Sequence, residues 1–181
     1  TVYSVTGDVN GDGNLELVSL NGDQVRIYNG DGSLYNSFSV SSNSGYLILE
    51  DINGDNDVEI LTGSAHTSNL QLSIYEDSGS RLTNLSTTGG YDSYAMRPAA
   101  YLGDDKLLVS YDSGYSRDPR GYSVWDLDTE TEDWFYDIGP RVGDLSVADA
   151  DGDGDMDFVS HLFTPHNGAS GTGINGTGST T

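Results

Sequence analysis

The chain has 181 residues, 35% of them hydrophobic, and carries 29 Asp and Glu against 7 Lys and Arg, a formal net charge of −22 at neutral pH. So negative a field repels nucleic acid and anionic membrane surfaces, and apolar runs such as Leu47-Ile48-Leu49 fall far short of the roughly 20 residues of a membrane span. The absence of cysteine excludes disulfides, thiolate metal sites and cysteine nucleophiles, so cations and neutral partners remain.

In chain order, the first unit (residues 1–45) opens with a short apolar strand and enters the acidic run Asp8-Val9-Asn10-Gly11-Asp12-Gly13-Asn14-Leu15-Glu16. A strand over Leu15 to Leu20 follows, then Gln24 to Tyr28 with period-two alternation, a turn at Asn29-Gly30-Asp31-Gly32 and a last strand over Ser33 to Val40. The second unit (46–93) repeats this grammar. Its acidic run is Asp51-Ile52-Asn53-Gly54-Asp55-Asn56-Asp57-Val58-Glu59, and its strands cover Val58 to Thr62, Leu70 to Tyr75 and Arg81 to Ser86. The third unit (94–143) keeps the flanking Tyr101-Leu102 and Leu107-Leu108-Val109. Only Gly103-Asp104-Asp105-Lys106 stands between them, so it reads as a unit that lost its acidic loop, completed by Tyr122 to Leu127 and Glu132 to Ile138. The fourth (144–163) opens with Asp149-Ala150-Asp151-Gly152-Asp153-Gly154-Asp155-Met156-Asp157. Residues 164–181 are rich in Gly, Ser and Thr and are expected to be a linker or a strand awaiting a neighbour. The chain starts at Thr1 without a leader and is expected to be a mature form or a piece of a longer protein.

No stretch holds a helical period. Four antiparallel strands recurring every 40–50 residues describe an all-β fold, a β-propeller of four-stranded blades with about three full blades and a partial fourth. A ring needs at least about four blades, so the chain is expected to be a fragment of a larger ring or a ring completed by another chain.

The acidic runs carry the chemistry. Numbering each from its first Asp, oxygen-bearing side chains stand at positions 1, 3, 5 and 9, with the position 7 carbonyl available as a further ligand. Ca²⁺ takes 6–8 oxygens at about 2.3–2.6 Å, and alternate residues of a tight loop can turn towards one centre. The ligands expected are Asp8, Asn10, Asp12, the carbonyl of Asn14 and Glu16; Asp51, Asn53, Asp55, the carbonyl of Asp57 and Glu59; and Asp149, Asp151, Asp153, the carbonyl of Asp155 and Asp157. About three Ca²⁺ ions follow. Position 6, where the loop bends, is Gly13, Asn56 and Gly154, residue types that tolerate positive φ. An EF-hand would need Glu at position 12 and flanking helices, but that position holds Ser19, Thr62 and Ser160. Loop three offers four side-chain carboxylates where loops one and two offer three, and is expected to bind most tightly.

Together Asp8 to Glu16, Asp51 to Glu59 and Asp149 to Asp157 present an Asp-x-Asp/Asn-x-Asp-Gly-x-x-Asp/Glu core, with Asn56 standing where Gly is usual. In this the chain resembles the FG-GAP/VCBS repeats, the calcium-binding blades of integrin-α-like propellers and secreted microbial proteins, over roughly residues 1–163. The resemblance implies an extracellular or cell-surface module with structural Ca²⁺ that binds a glycan or protein ligand or other copies of the chain, in adhesion. A structural subunit of a surface assembly completed by neighbours, and a truncated part of a polysaccharide lyase or hydrolase, are the alternatives. No catalytic residues are expected: His66, His161 and His166 lie in turn or tail contexts without a nucleophile motif. Trp125, Trp134, Phe135 and Tyr136 are read as core packing rather than a sugar-stacking surface, the long connection Ser113 to Gly121 as a hairpin insertion, and Asn84 and Asn175 as sequons open to glycosylation where the source permits it.

Overall fold

The structure is a computed structural model that describes residues 2–41, 44–65, 70–87, 95–112, 120–137, 141–154, 156–163, 172–173 and 176–177. Among these there is no helix. Strands β1 (Val2–Gly7), β2 (Glu16–Asn21), β3 (Gln24–Tyr28) and β4 (Leu34–Ser39) form one antiparallel meander, blade one. Blade two is β5 (Ser44–Glu50), β6 (Glu59–Ser64), β7 (Gln71–Tyr75) and β8 (Arg81–Ser86). Blade three is β9 (Ala95–Gly103), β10 (Lys106–Asp112), β11 (Gly121–Asp126) and β12 (Thr131–Asp137). The pair β13 (Arg141–Ala148) and β14 (Asp157–Phe163) starts a fourth, and β15 (Thr172–Gly173) pairs with β16 (Gly176–Thr177) in the tail. The fold is therefore all-β, built of propeller-type blades, three of four strands and one of two.

Blades stack because adjacent residues of a strand face opposite neighbours. In β6, Ile60 packs with Val18, Leu20, Val25 and Ile27 of blade one, whereas Leu61 packs with Met96, Leu107, Val109 and Trp125 of blade three. Strand β6 is accordingly buried along its whole length, while β2 of blade one is buried only at alternate residues. A third cluster joins Leu108, Tyr122 and Val124 of blade three to Val142, Leu145, Val147 and Phe158. Each Leu or Ile so enclosed contributes about 1.5–3 kcal/mol relative to exposure.

Two glycines let the blades approach. A methyl at Gly7 would lie 2.8 Å from both Leu49 Cδ1 and Val58 Cγ2 of blade two. One at Gly63 would lie 2.7 Å from Pro98 Cδ and closer still to the Met96 carbonyl oxygen of blade three. Polar contacts reinforce the same seams: Tyr35 donates to Asp77 at 2.5 Å and Asn36 donates to the Asp77 carbonyl at 2.7 Å. Arg97 stacks 4.4 Å from the Tyr46 ring and pairs with Asp112 at 2.7 Å.

Two sequence expectations need adjustment. Leu15 and Val58 precede their strands rather than opening them, because β2 and β6 begin at Glu16 and Glu59. The aromatic set of blade three divides: Trp125 is buried against Tyr111 and Tyr136 packs on the third cluster, but Trp134 and Phe135 are 41% and 40% exposed. They lie on β12, the last strand of the sheet, where less is stacked against them. Ile138, His66, His166, Asn175 and residues 113–119 fall outside the described residues.

Candidate metal centre

The three acidic loops join the first strand of a blade to the second and share one hydrogen-bond scheme. The position 1 carboxylate accepts the position 6 amide: Gly13 to Asp8 at 2.9 Å, Asn56 to Asp51 at 3.1 Å and Gly154 to Asp149 at 3.1 Å. Position 3 accepts the position 5 amide at 3.0, 2.9 and 3.2 Å. Position 5 accepts the position 7 amide in loops one and two, at 2.8 and 3.0 Å. The position 9 carboxylate reaches back to the position 2 amide, Val9 to Glu16 at 3.3 Å, Ile52 to Glu59 at 2.9 Å and Ala150 to Asp157 at 3.1 Å. Each loop thus coils around its own carboxylates, and the position 9 acid is the first residue of the next strand, β2, β6 or β14.

This coil requires left-handed backbone, and the sequence supplies it. Position 6 has positive φ in all three loops, Gly13 at 82°, Asn56 at 76° and Gly154 at 97°. Position 4 does so too, as Gly11 at 69°, Gly54 at 78° and Gly152 at 81°, a requirement the sequence reading did not single out. Glycine and asparagine pay the smallest steric penalty there.

Loops one and two hold carboxyls whose charged form the surroundings disfavour. Glu16 and Glu59 are buried, and burial pushes both carboxyls above their ordinary range, with Asp12 and Asp8 adding to the effect at Glu16 and Asp55 and Asp51 at Glu59. Asp57 is raised as well, first by desolvation and then by Asp55, Asp8 and Asp77. In loop three the carboxylate oxygens of Asp149, Asp151 and Asp153 lie within 4.8 Å of one another, all exposed. Asp155 is outside the described residues.

One atom tests whether a cation suits this donor set. Asp8 Oδ1 is buried and meets no hydrogen-bond donor among the described residues. A buried, unpaired carboxylate oxygen is costly, and Ca²⁺, which takes oxygen ligands, would compensate it. The residues present therefore fit the ion, and the ligands would be those at positions 1, 3, 5 and 9 with the position 7 carbonyl.

Blade three has no such coil. Its first two strands join through Asp104 and Asp105, at φ 48° and 58°, the pattern of a two-residue type I′ hairpin. Beside loop two this short turn leaves an open cleft of about 590 Å³ lined by Asp51, Asn53, Gly54, Tyr101, Asp104, Asp105, Leu127 and Asp128. A smaller cleft of about 240 Å³ is lined by Asn53, Asp55, Asp57 and Glu59 of loop two, Glu76 and Asp77 of the β7–β8 turn, and Val9 of loop one. Glu76 and Asp77 come to lie beside the loop through the antiparallel return of β7, which brings Tyr75 opposite Ile60. Of the histidines only His161 is described, and it is exposed on β14. Asn84 lies on β8, its side-chain oxygen accepting the Ser73 hydroxyl at 2.7 Å.

Among comparisons with known proteins, the family of FG-GAP-like repeats matches residues 8–62, a span that runs from the first ligand position of loop one through loop two into β6. No curated protein matches the chain.

Proposed function

With an FG-GAP-like repeat over residues 8–62 as premise, we propose that this chain is a calcium-stabilised propeller segment, extracellular or at a cell surface, that binds a glycan or protein ligand and catalyses nothing. The observation that carries the calcium reading is the common coil of the three loops together with the unpaired, buried Asp8 Oδ1. The ion's role is structural: it supplies positive charge that compensates the carboxylates and ties the first strand of a blade to the second. What the protein contributes is the left-handed bends at positions 4 and 6 and the amides that aim each carboxylate inward.

A ligand-binding role draws support from the 590 Å³ cleft where blade three lacks its loop, since clefts with a few convergent polar groups on a rigid scaffold are the usual places of recognition. The carboxylates with recognisable spacing are taken up by the loops, which is why catalysis is left out of the proposal.

A second reading, a subunit of a surface assembly, draws on blade one. Leu15 and Leu17 occupy the places that Val58 and Ile60 hold in blade two, yet they are 62% and 43% exposed while Ile60 is buried against the preceding blade. Calorimetry and thermal melts decide the calcium reading. Ca²⁺ should bind with measurable heat near three ions per chain and raise Tm, and EDTA should reverse the rise. A Tm indifferent to both would overturn it. Sedimentation across a range of concentrations at saturating Ca²⁺ separates the two readings: a single species favours the ligand-binding module, and mass growing with concentration favours the assembly.

A further inference from the structure

Loops one and two touch each other. The Val58 amide, between positions 7 and 9 of loop two, donates to the carbonyl of Asp8, position 1 of loop one, at 3.0 Å. The Asp57 carboxylate lies against Gly11, position 4 of loop one: a methyl there would be 2.8 Å from Asp57 Cγ and closer to Oδ1. A methyl on the equivalent glycines Gly54 and Gly152 would meet nothing within 4 Å among the described residues. Blade three supplies no loop to cover Gly54.

This contact coincides with a difference in hydrogen bonding between loop one and the other two loops among the described residues. In loops two and three the position 4 amide donates to the position 1 carboxylate, Gly54 to Asp51 and Gly152 to Asp149, both at 2.7 Å. In loop one the position 1 oxygen Asp8 Oδ1 is instead buried without a donor. The loop whose position 4 carries a neighbour's carboxylate is the loop whose position 1 oxygen stays unpaired and open to a cation.

From this juxtaposition we propose that Asp57 and Val58 are positioning residues for loop one, so that loops one and two bind Ca²⁺ with positive coupling while loop three binds independently. The inference rests on the calcium reading above. A cation in loop one screens Asp8 against Asp57 and favours the seam between the blades. A cation in loop two fixes Asp57 and Val58 where loop one needs them. Because coupling is reciprocal, each ion raises the affinity of the other by the same factor.

The test is hydrogen exchange of the segments 8–16, 51–59 and 149–157 in the full 181-residue chain, titrated with CaCl₂ at fixed ionic strength. Glu59→Gln disables loop two and should move the protection midpoint of loop one to roughly 5-fold higher Ca²⁺ or beyond. Asp157→Asn, the matched loss in loop three, should leave the loop-one midpoint at its wild-type value. In the reverse direction Gly11→Ala displaces Asp57 and should weaken loop two, whereas Gly152→Ala, equally left-handed but facing open space, should not; this pair serves if Glu59→Gln does not fold. Loops that respond to Ca²⁺ in the wild type but keep their midpoints in both cross-loop variants overturn the coupling and leave the calcium reading intact. Loops that never respond to Ca²⁺ overturn both.

Discussion

Replacing Glu16 by Gln should change stability in opposite senses with and without calcium. The side chain is 1% exposed and accepts the Val9 amide at 3.3 Å, a bond the Gln oxygen can keep. In EDTA the substitution removes a charge that burial, Asp12 and Asp8 all disfavour, so Tm should hold or rise. With Ca²⁺ at about 100 times Kd, one bound ion adds roughly 2.7 kcal/mol to folding. For a chain of this length about 2–4 °C accompany each kcal/mol, so losing that ion should lower Tm by roughly 5–11 °C. Differential scanning calorimetry on wild type and variant in both buffers measures the four values needed. An equal fall in both buffers would make Glu16 a packing group, and an unchanged Tm in calcium would mean that loop one holds no ion through this oxygen. Either result refutes the reasoning.

Three further outcomes follow from the same geometry. Gly63→Ala should cost about 1–3 kcal/mol, because a methyl would press on the Met96 carbonyl and Pro98 of β9, which are held in the sheet; an unchanged urea midpoint would show that the blades can part at no cost. Without calcium, Glu16 and Glu59 titrate above their ordinary 4.5, so the folded chain binds more protons than the unfolded one and these two groups make stability fall as pH rises above 4.5. Ca²⁺ requires the ionised carboxylates, so the calcium-induced gain in Tm should grow over that same range, and a gain that shrinks as pH rises counts against these ligands. Loop three, with Asp149, Asp151, Asp153 and Asp157, should reach half-protection at the lowest free Ca²⁺ in the exchange titration; earlier saturation of loop one or two would show that ligand count does not set the order.

Much of the architecture was legible because it repeats. Gln24–Tyr28 and Arg81–Ser86 are strands at the bounds read from alternation, and the oxygen-bearing residues at positions 1, 3 and 9 share one hydrogen-bonded coil because the three runs share one spacing. The loss of the third loop was equally visible, since four residues, Gly103 to Lys106, between apolar runs leave room only for a tight hairpin. What escaped the sequence is what lies between units. Asp57 over Gly11, Glu76 and Asp77 beside loop two, and the tight seam at Gly63 all join residues brought together by stacking, for which local pattern carries no signal. The exposure of Trp134 and Phe135 was missed for a related reason: an aromatic pattern does not say that a strand is the last of its sheet.

The chain has two tryptophans, Trp125 and Trp134, and both belong to blade three, the blade whose hairpin replaces the acidic coil. Indole emission therefore watches the part of the molecule that, on the calcium reading proposed above, has no ion of its own to lose. Chelation should be read first in tyrosine signals from Tyr3, Tyr28, Tyr46 and Tyr75 of blades one and two, while the tryptophan band stays native-like until the stack itself comes apart. A metal titration followed at tryptophan wavelengths alone would register little even as the loops filled.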